Sequence, residues 1–154
     1  MLSKSKFWFF LSLFFLSTTA FSAEVTEGAV KKLLSEMDVA ITNLDSETLA
    51  KTLSDDIQIT IHINIQGNEQ VMKPSKQEYI SMLKQGWAAV ENYSYKRSDL
   101  VIDIKDGKAV VSANVKETMT VQGQSLSGES KEVATVESVN GKLLFTNIVG
   151  HTSL

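Results

Sequence analysis

The sequence has 154 residues, a formal net charge of −3 and no cysteine. A chain of this length forms one domain with its own core, and its acidic balance argues against a nucleic-acid partner, because phosphate binding needs a basic face. Without cysteine, disulfides, thiol nucleophiles and thiolate metal sites are excluded.

The first 22 residues have the order of a cleaved secretory signal. Lys4 and Lys6 precede an apolar run of about ten residues, roughly half of what spans a bilayer, and Ala20-Phe21-Ser22 fits the small-x-small pattern of a cleavage site. No second apolar run of spanning length follows. We therefore expect residues 1–22 to be a signal peptide and residues 23–154 to be one periplasmic or secreted domain, with no permanent membrane anchor after cleavage. Loss of the two lysines leaves 13 Lys and Arg against 18 Asp and Glu, a net charge of −5.

The first half of the mature chain combines helix and strand patterns. Apolar residues recur every three or four positions over residues 26–44, which predicts an amphipathic helix, and Leu49 and Leu53 mark a second helix that ends at Ser54-Asp55-Asp56. Alternating isoleucines from Ile57 to Ile65 then predict a half-buried strand, with His62 on its polar face.

A short strand is predicted at residues 70–73. Ser75-Lys76-Gln77-Glu78 has capping-box spacing for a third helix, and Trp87 belongs to the apolar face of that helix.

The second half predicts two β-hairpins from their turn residues. Asp106-Gly107 sets Ile102 opposite Val111 and Leu100 opposite Ala113, and the same register places Glu117 opposite Lys96. Counting back by parity, Tyr93 and Tyr95 are expected on the outer face of the sheet, unless a bulge intervenes.

Asn140-Gly141 is the second turn signal. It pairs Val136 with Phe145, Ala134 with Asn147 and Glu132 with Val149, which puts Asn147 and His151 on the same inner face as Phe145. Residues 123–129 are expected to be a polar loop between the hairpins.

Two helices, a strand or hairpin, a third helix and four antiparallel strands predict an α+β domain. The chain resembles the NTF2-like superfamily, the SnoaL-like and ketosteroid-isomerase-like cone. The resemblance rests on this order of elements, on the segment Asn43-Leu44-Asp45-Ser46-Glu47-Thr48-Leu49 and on the ending from Phe145 to Ser153. The resemblance covers nearly all of the mature chain, but none of its motifs is specific for catalysis. It implies three helices packed on a curved, mainly antiparallel sheet in the order α-α-β-(β)-α-β-β-β-β, with a cavity that some members use for catalysis and others only for binding.

The resemblance also implies sheet-to-sheet homodimers, and the predicted outer face of the second hairpin is unusually apolar for a solvated sheet. We therefore expect a homodimer. The outer-face residues in question are Val133, Thr135, Val139, Leu144, Thr146 and Ile148.

Glu117 is a charged exception in the apolar row of its strand. One interpretation is a general acid or base in the cavity, and the other, which we favour, is a cross-strand pair with Lys96 worth about 0.2–1 kcal/mol. Asn147, His151 and Trp87 are the other candidate ligand-binding residues, and His151 is a second catalytic candidate.

The remaining positions predict neither a metal site nor a cofactor. His62 is expected to point away from the helices, and two histidines without a recognisable carboxylate partner do not make a metal site. Ketosteroid isomerases of this fold use a tyrosine and two acids, whereas the first predicted helix contains no tyrosine.

Three functions remain open at this stage. The favoured one is an exported domain that binds a small apolar ligand or a partner protein in its cone without catalysis. The alternatives are an isomerase, dehydratase or hydrolase that uses Glu117 with His151 or Asn147, and a protein-interaction module that acts through its sheet.

Overall fold

The computed structural model describes residues 22–65 and 67–153. Within these ranges lie three helices and six strands, which are, in chain order, α1 (Glu27–Thr42), α2 (Ser46–Thr52), β1 (Leu53–Ile65), β2 (Asn68–Met72), α3 (Lys76–Trp87), β3 (Val90–Lys105), β4 (Lys108–Val121), β5 (Gln124–Val139) and β6 (Lys142–Ser153). This order confirms the predicted fold class. The predicted signal peptide, apart from Ser22, falls outside the described residues. None of the described helices is long and apolar enough to cross a membrane.

Each helix begins at a side chain that accepts a hydrogen bond from a backbone N–H of its first turn. Thr26 caps α1 by accepting from Ala29 at 3.2 Å, and Asp45 caps α2 by accepting from Thr48 at 2.9 Å. Ser75 and Glu78 form the predicted capping box of α3. The second helix ends at Thr52, earlier than predicted, because Leu53 is already extended and pairs with Phe145 in the sheet.

All six strands form one sheet in the order β2-β1-β6-β5-β4-β3. Only the β1–β6 pair is parallel; the others are antiparallel. The helices cover one face of the sheet, where Phe145 and Val136 are fully buried against α1 and α2. The predicted isoleucine row is buried at Ile57 and Ile59, whereas Ile65 at its far end is 43% exposed.

A β-bulge interrupts the first predicted hairpin register. Ile102 lies opposite Val111 as expected, but the register then shifts by one residue between Ser98 and Val101, where Asp99 has a φ of 52°. The predicted pairing of Leu100 with Ala113 is therefore wrong.

The extra residue turns the earlier part of β3 over. Tyr93 and Tyr95 lie on the inner face, so the prediction that they are outer-face residues is wrong. Tyr95, and not Lys96, is opposite Glu117, while Lys96 is opposite Lys116.

A second bulge changes the register of β5 and β6. Val136 pairs with Phe145 as predicted, but the next pair is Thr135 with Asn147, which leaves Thr146 as the extra residue of β6. The predicted partners of Ala134 and Glu132 are therefore wrong, since these residues pair with Ile148 and Gly150.

Beyond the second bulge, β6 presents opposite faces from those expected. Asn147 and His151 lie on the outer face, while Ile148, expected outside, packs against the core. The predicted polar loop at residues 123–129 is also wrong, because Gln122 and Gly123 form a tight turn with positive φ and β5 begins at Gln124. As a result β4 and β5 form one long, continuous hairpin.

Candidate functional site

The inner face of β3, β4 and β5 carries a cluster of polar side chains between the sheet and the helices. The bulge in β3 puts Tyr93, Tyr95 and Arg97 on that face, and β4 and β5 add Glu117 and Glu132. Asp38 of α1 and Tyr79 of α3 complete the cluster from the helical side. Three tyrosines and three acids therefore meet in the cone, although none of the tyrosines comes from α1.

Arg97 is the centre of this cluster. Its side chain is 9% exposed, and its guanidinium donates to Asp38 Oδ1 from Nη2 at 2.9 Å and from Nε at 3.1 Å. Nη1 donates to Glu132 Oε2 at 3.2 Å, and Nη2 also donates to the Tyr95 hydroxyl at 2.6 Å. This buried clamp joins α1 to β3 and β5 and occupies the donors on all three guanidinium nitrogens.

Burial and neighbouring charges shift the pKa values of both Arg97 and Glu132 in the clamp. For Arg97, burial disfavours the cation, but the hydrogen bond to Asp38 and the nearby Tyr95 and Glu132 outweigh it, so the pKa is raised. For Glu132, burial is the largest effect and raises the pKa of the carboxyl, with the charges of Glu117 and Asp38 adding to it and Arg97 opposing it. Glu132 is therefore held in a site that favours its protonated form more than water does.

The second contact in the cone joins two strands through a hydrogen bond, which the Tyr93 hydroxyl donates to Glu117 Oε1. Burial, followed by this hydrogen bond and the charge of Glu117, raises the pKa of Tyr93. The pKa of Tyr79 is raised by burial and by the charges of Glu132 and Glu117. Both tyrosines therefore stay neutral and can act as hydrogen-bond donors.

The enclosed space beside this cluster is small. The cavity has a volume of about 30 Å³, with Met37, Phe145 and Ile148 on its apolar side and Arg97 and Glu132 on its polar side. That is room for about one or two water molecules. The interior of the cone is thus filled by its own side chains.

A larger open groove lies between α1 and β3. It has a volume of about 520 Å³, and it shares Leu34 and Arg97 with the internal cavity. Its apolar lining is Leu34, Val39 and Leu100. Its polar lining comprises Lys31, Ser35, Asp38, Thr42, Asn43, Tyr95 and Arg97. A volume of this size is in the range of small-molecule sites.

The four residues predicted from the sequence do not converge. Glu117 lies on the inner face as its parity predicted, but the predicted pairing with Lys96 is wrong. Trp87 is half-buried against the core. Asn147 and His151 are separated from Glu117 by the sheet itself, because the bulge at Thr146 turns them outward.

On the outer face, His151 meets His62, its direct neighbour on the parallel strand β1. The two rings are stacked, with centroids 4.2 Å apart and planes inclined by 17°. Glu69 of β2 supplies the carboxylate that the sequence analysis did not identify, with Oε1 3.0 Å from His62 Nδ1.

Two residues of the inner cluster were missed for different reasons. Glu132 stands in the same alternating row as Ala134 and Val136, so its inward direction was visible in the sequence. The inward direction of Arg97 depends on the bulge at Asp99, which no residue pattern marked.

Comparison with known proteins establishes the fold. No family model and no curated protein matches the sequence. One similar solved structure is a Novosphingobium aromaticivorans protein provisionally assigned as a scytalone dehydratase, with 16% identity and a TM-score of 0.66 over 82% of this chain and 83% of that one. A second is an NTF2-like protein of Cytophaga hutchinsonii, with 19% identity and a TM-score of 0.64 over 82% of this chain and 98% of that one. A third is the hexachlorocyclohexane dehydrochlorinase LinA-type3 of Novosphingobium barchaimii, with 15% identity and a TM-score of 0.63 over 81% of this chain and 84% of that one. At these identities the likeness shows the fold alone, and that fold is the NTF2-like cone which the sequence resembles.

Proposed function

We propose that this NTF2-like domain is exported and binds a small, largely apolar molecule without transforming it. The observation that carries the proposal is the groove between α1 and β3, which has about 520 Å³ and borders the buried Arg97 clamp. The export part rests on the order of the first 22 residues.

The side chains of the groove indicate the chemistry of the ligand. Val39 and Leu100 are 57% and 39% exposed, so an apolar molecule would cover surface that is otherwise in water. Four of the five N–H donors of Arg97 are engaged with Asp38, Glu132 and Tyr95, and the Asp38 carboxylate retains free acceptor capacity. A ligand with an apolar body and one hydroxyl or N–H donor fits this arrangement.

The contacts within the cone favour binding over catalysis. Asp38 and Glu132 are held by Arg97, and Glu117 accepts the hydrogen bond of Tyr93. Asn147 and His151, which the enzymatic alternative required beside Glu117, lie on the other face of the sheet.

A second candidate is proton transfer by the inner cluster itself. It is favoured by the raised pKa of Glu132 and by the proximity of Glu117, Tyr93 and Tyr79, a set of proton donors and acceptors in one low-dielectric site. One of the similar solved structures is a dehydrochlorinase.

We further propose a homodimer through the outer face of the sheet. Val101, Val110 and Val133 are exposed on that face, on the adjacent strands β3, β4 and β5. A second copy of the same face would cover these valines.

One pair of matched substitutions separates the groove from the sheet face. Nile red, a neutral apolar dye, is titrated into the wild type, Val39→Lys in the groove and Val110→Lys on the sheet. We expect Val39→Lys to weaken dye binding and Val110→Lys to leave it unchanged while dissociating the dimer in light scattering. Loss of dye binding in Val110→Lys alone would contradict the groove assignment and favour a sheet-face interaction module.

Native mass spectrometry of the protein purified from its host tests the absence of catalysis. A co-purified molecule, returned to the ligand-free protein, should be recovered with an unchanged mass and an unchanged NMR spectrum, since isomerisation alters the spectrum but not the mass. Its conversion by the wild type, but not by Glu117→Gln, would favour the enzymatic candidate.

A further inference from the structure

We propose that His62, Glu69 and His151 form a binding site for one divalent transition-metal ion, of the class of Zn²⁺, on the outer face of the sheet. The site lies on the face opposite the helices and is independent of the groove to which we assign ligand binding.

The topology of the sheet brings the three residues together. β2, β1 and β6 are consecutive strands at one edge, and His62 is in direct register with His151 across the parallel β1–β6 pair. Glu69 is opposite Asn64 on the other side of β1, which makes it the diagonal neighbour of His62. The turn between β1 and β2 and the bulge at Thr146 both have to be in place for this alignment.

The donor atoms are already close to coordination distance. His62 Nδ1 is 3.0 Å from Glu69 Oε1, and the donor atoms of all three residues lie within 4.8 Å of one another. In a tetrahedral zinc site with bonds near 2.0–2.1 Å, donors are about 3.3 Å apart. No pair of donors therefore has to close by more than roughly 1.5 Å. The Glu69 side chain is 60% exposed and can rotate to adjust its own distances to the two histidines.

The donor set selects the class of ion. Two imidazoles and one carboxylate suit Zn²⁺, Cu²⁺, Ni²⁺ and Co²⁺, while Ca²⁺ and Mg²⁺ prefer sites made of oxygen. Three protein ligands leave a fourth position for water or for an outside ligand. A bound ion would also connect three strands, so it would stabilise the edge of the sheet where β2 has a partner on one side only.

One nearby charge opposes the ion. Lys131 of β5 is the direct neighbour of His151 on the side away from β1. Removal of the Lys131 charge should therefore increase the affinity for the metal ion. Loss of a metal ligand should decrease that affinity, so the two kinds of substitution have opposite expected effects.

The experiment is calorimetric titration of ZnCl₂ into the protein without a polyhistidine tag, after treatment with a chelator. We expect one Zn²⁺ per chain. Loss of an outer-shell partner of a metal costs about 10- to 100-fold in affinity, so His62→Gln, His151→Gln and Glu69→Gln should each cost at least that much. Lys131→Met should bind Zn²⁺ more tightly than the wild type.

Glu36→Gln is the matched control for Glu69→Gln, because Glu36 is exposed on α1, on the helical side of the sheet and away from the histidines. It should bind Zn²⁺ like the wild type. Thermal unfolding in the presence of chelator checks that each variant is folded, and Glu69→Gln, an exposed change, keeps the test valid if a histidine variant is unstable. Equal zinc affinity in the wild type and Glu69→Gln, or an equal loss in Glu36→Gln, would overturn the proposal.

Discussion

Replacement of Arg97 by Met tests whether the buried clamp holds α1 against the sheet. The substitution keeps an unbranched apolar stem and removes the guanidinium and its charge, so Asp38 and Glu132 remain together without a cation. Their side chains are 32% and 30% exposed, and Arg97 itself is 9% exposed. Removal of one partner from a buried ion pair costs about 3–5 kcal/mol, because the other charges stay desolvated and unpaired.

Urea unfolding of the mature protein measures this cost. For a slope of about 2 kcal/mol per molar urea, the midpoint should fall by roughly 1.5–2.5 M. Lys116→Met, which removes an exposed ion pair with Glu129, is the control and should leave the midpoint almost unchanged. Adding Asp38→Asn and Glu132→Gln to Arg97→Met should recover much of the loss, since no unpaired charge then remains. Equal midpoints for Arg97→Met and Lys116→Met would refute the view that the clamp is buried and structural.

Three further outcomes follow from burial, pKa and sequence order. Ile59→Ala should lower the free energy of unfolding by about 2–5 kcal/mol, whereas Ile65→Ala, at an exposed position of the same row, should change it little in the same urea assay. The pKa of Glu132 in the folded protein is raised from its ordinary value of 4.5, so the carboxyl stabilises the fold below pH 4.5 and this contribution is lost as the pH rises through the folded pKa. The stability of Glu132→Gln should therefore rise relative to that of the wild type as the pH goes from acidic to neutral. A stability difference that does not change with pH would contradict this prediction. Intact-mass measurement of protein from the periplasm should show a chain that begins between Phe21 and Glu24, while a soluble product that retains Met1 would refute the leader.

Much of the fold was predictable because it depends on local patterns. The helical period of the apolar residues and the capping box at Ser75 placed the helices near their observed starts. The alternating isoleucines and the turns at Asp106-Gly107 and Asn140-Gly141 placed the strands and the correct register next to each turn. These signals involve residues a few positions apart, and their physical causes act within the same few positions.

Candidate sites were harder to predict because parity carries errors along a strand. A single extra residue at the bulge near Asp99 turned Tyr93, Tyr95 and Arg97 inward, and another at Thr146 turned Asn147 and His151 outward. β-bulges form where the twist of a whole sheet has to be accommodated, and they have no fixed residue signature in these strands. The alternation of apolar residues was therefore correct on each side of a bulge and wrong across it.

The sequence by itself determined the α+β class, the order of the elements and the inward direction of Glu117, because each follows from periodicity or a nearby turn. Only the tertiary structure decided the two clusters: Arg97 with Asp38 and Glu132 inside the cone, and His62 with Glu69 and His151 outside it. Arg97 and Glu132 are 35 residues apart in the chain, and His62 and His151 belong to β1 and β6, the first and last of the described strands. Such partners meet only when the parallel pairing of β1 with β6 and both bulges are fixed, and those are properties of the whole sheet.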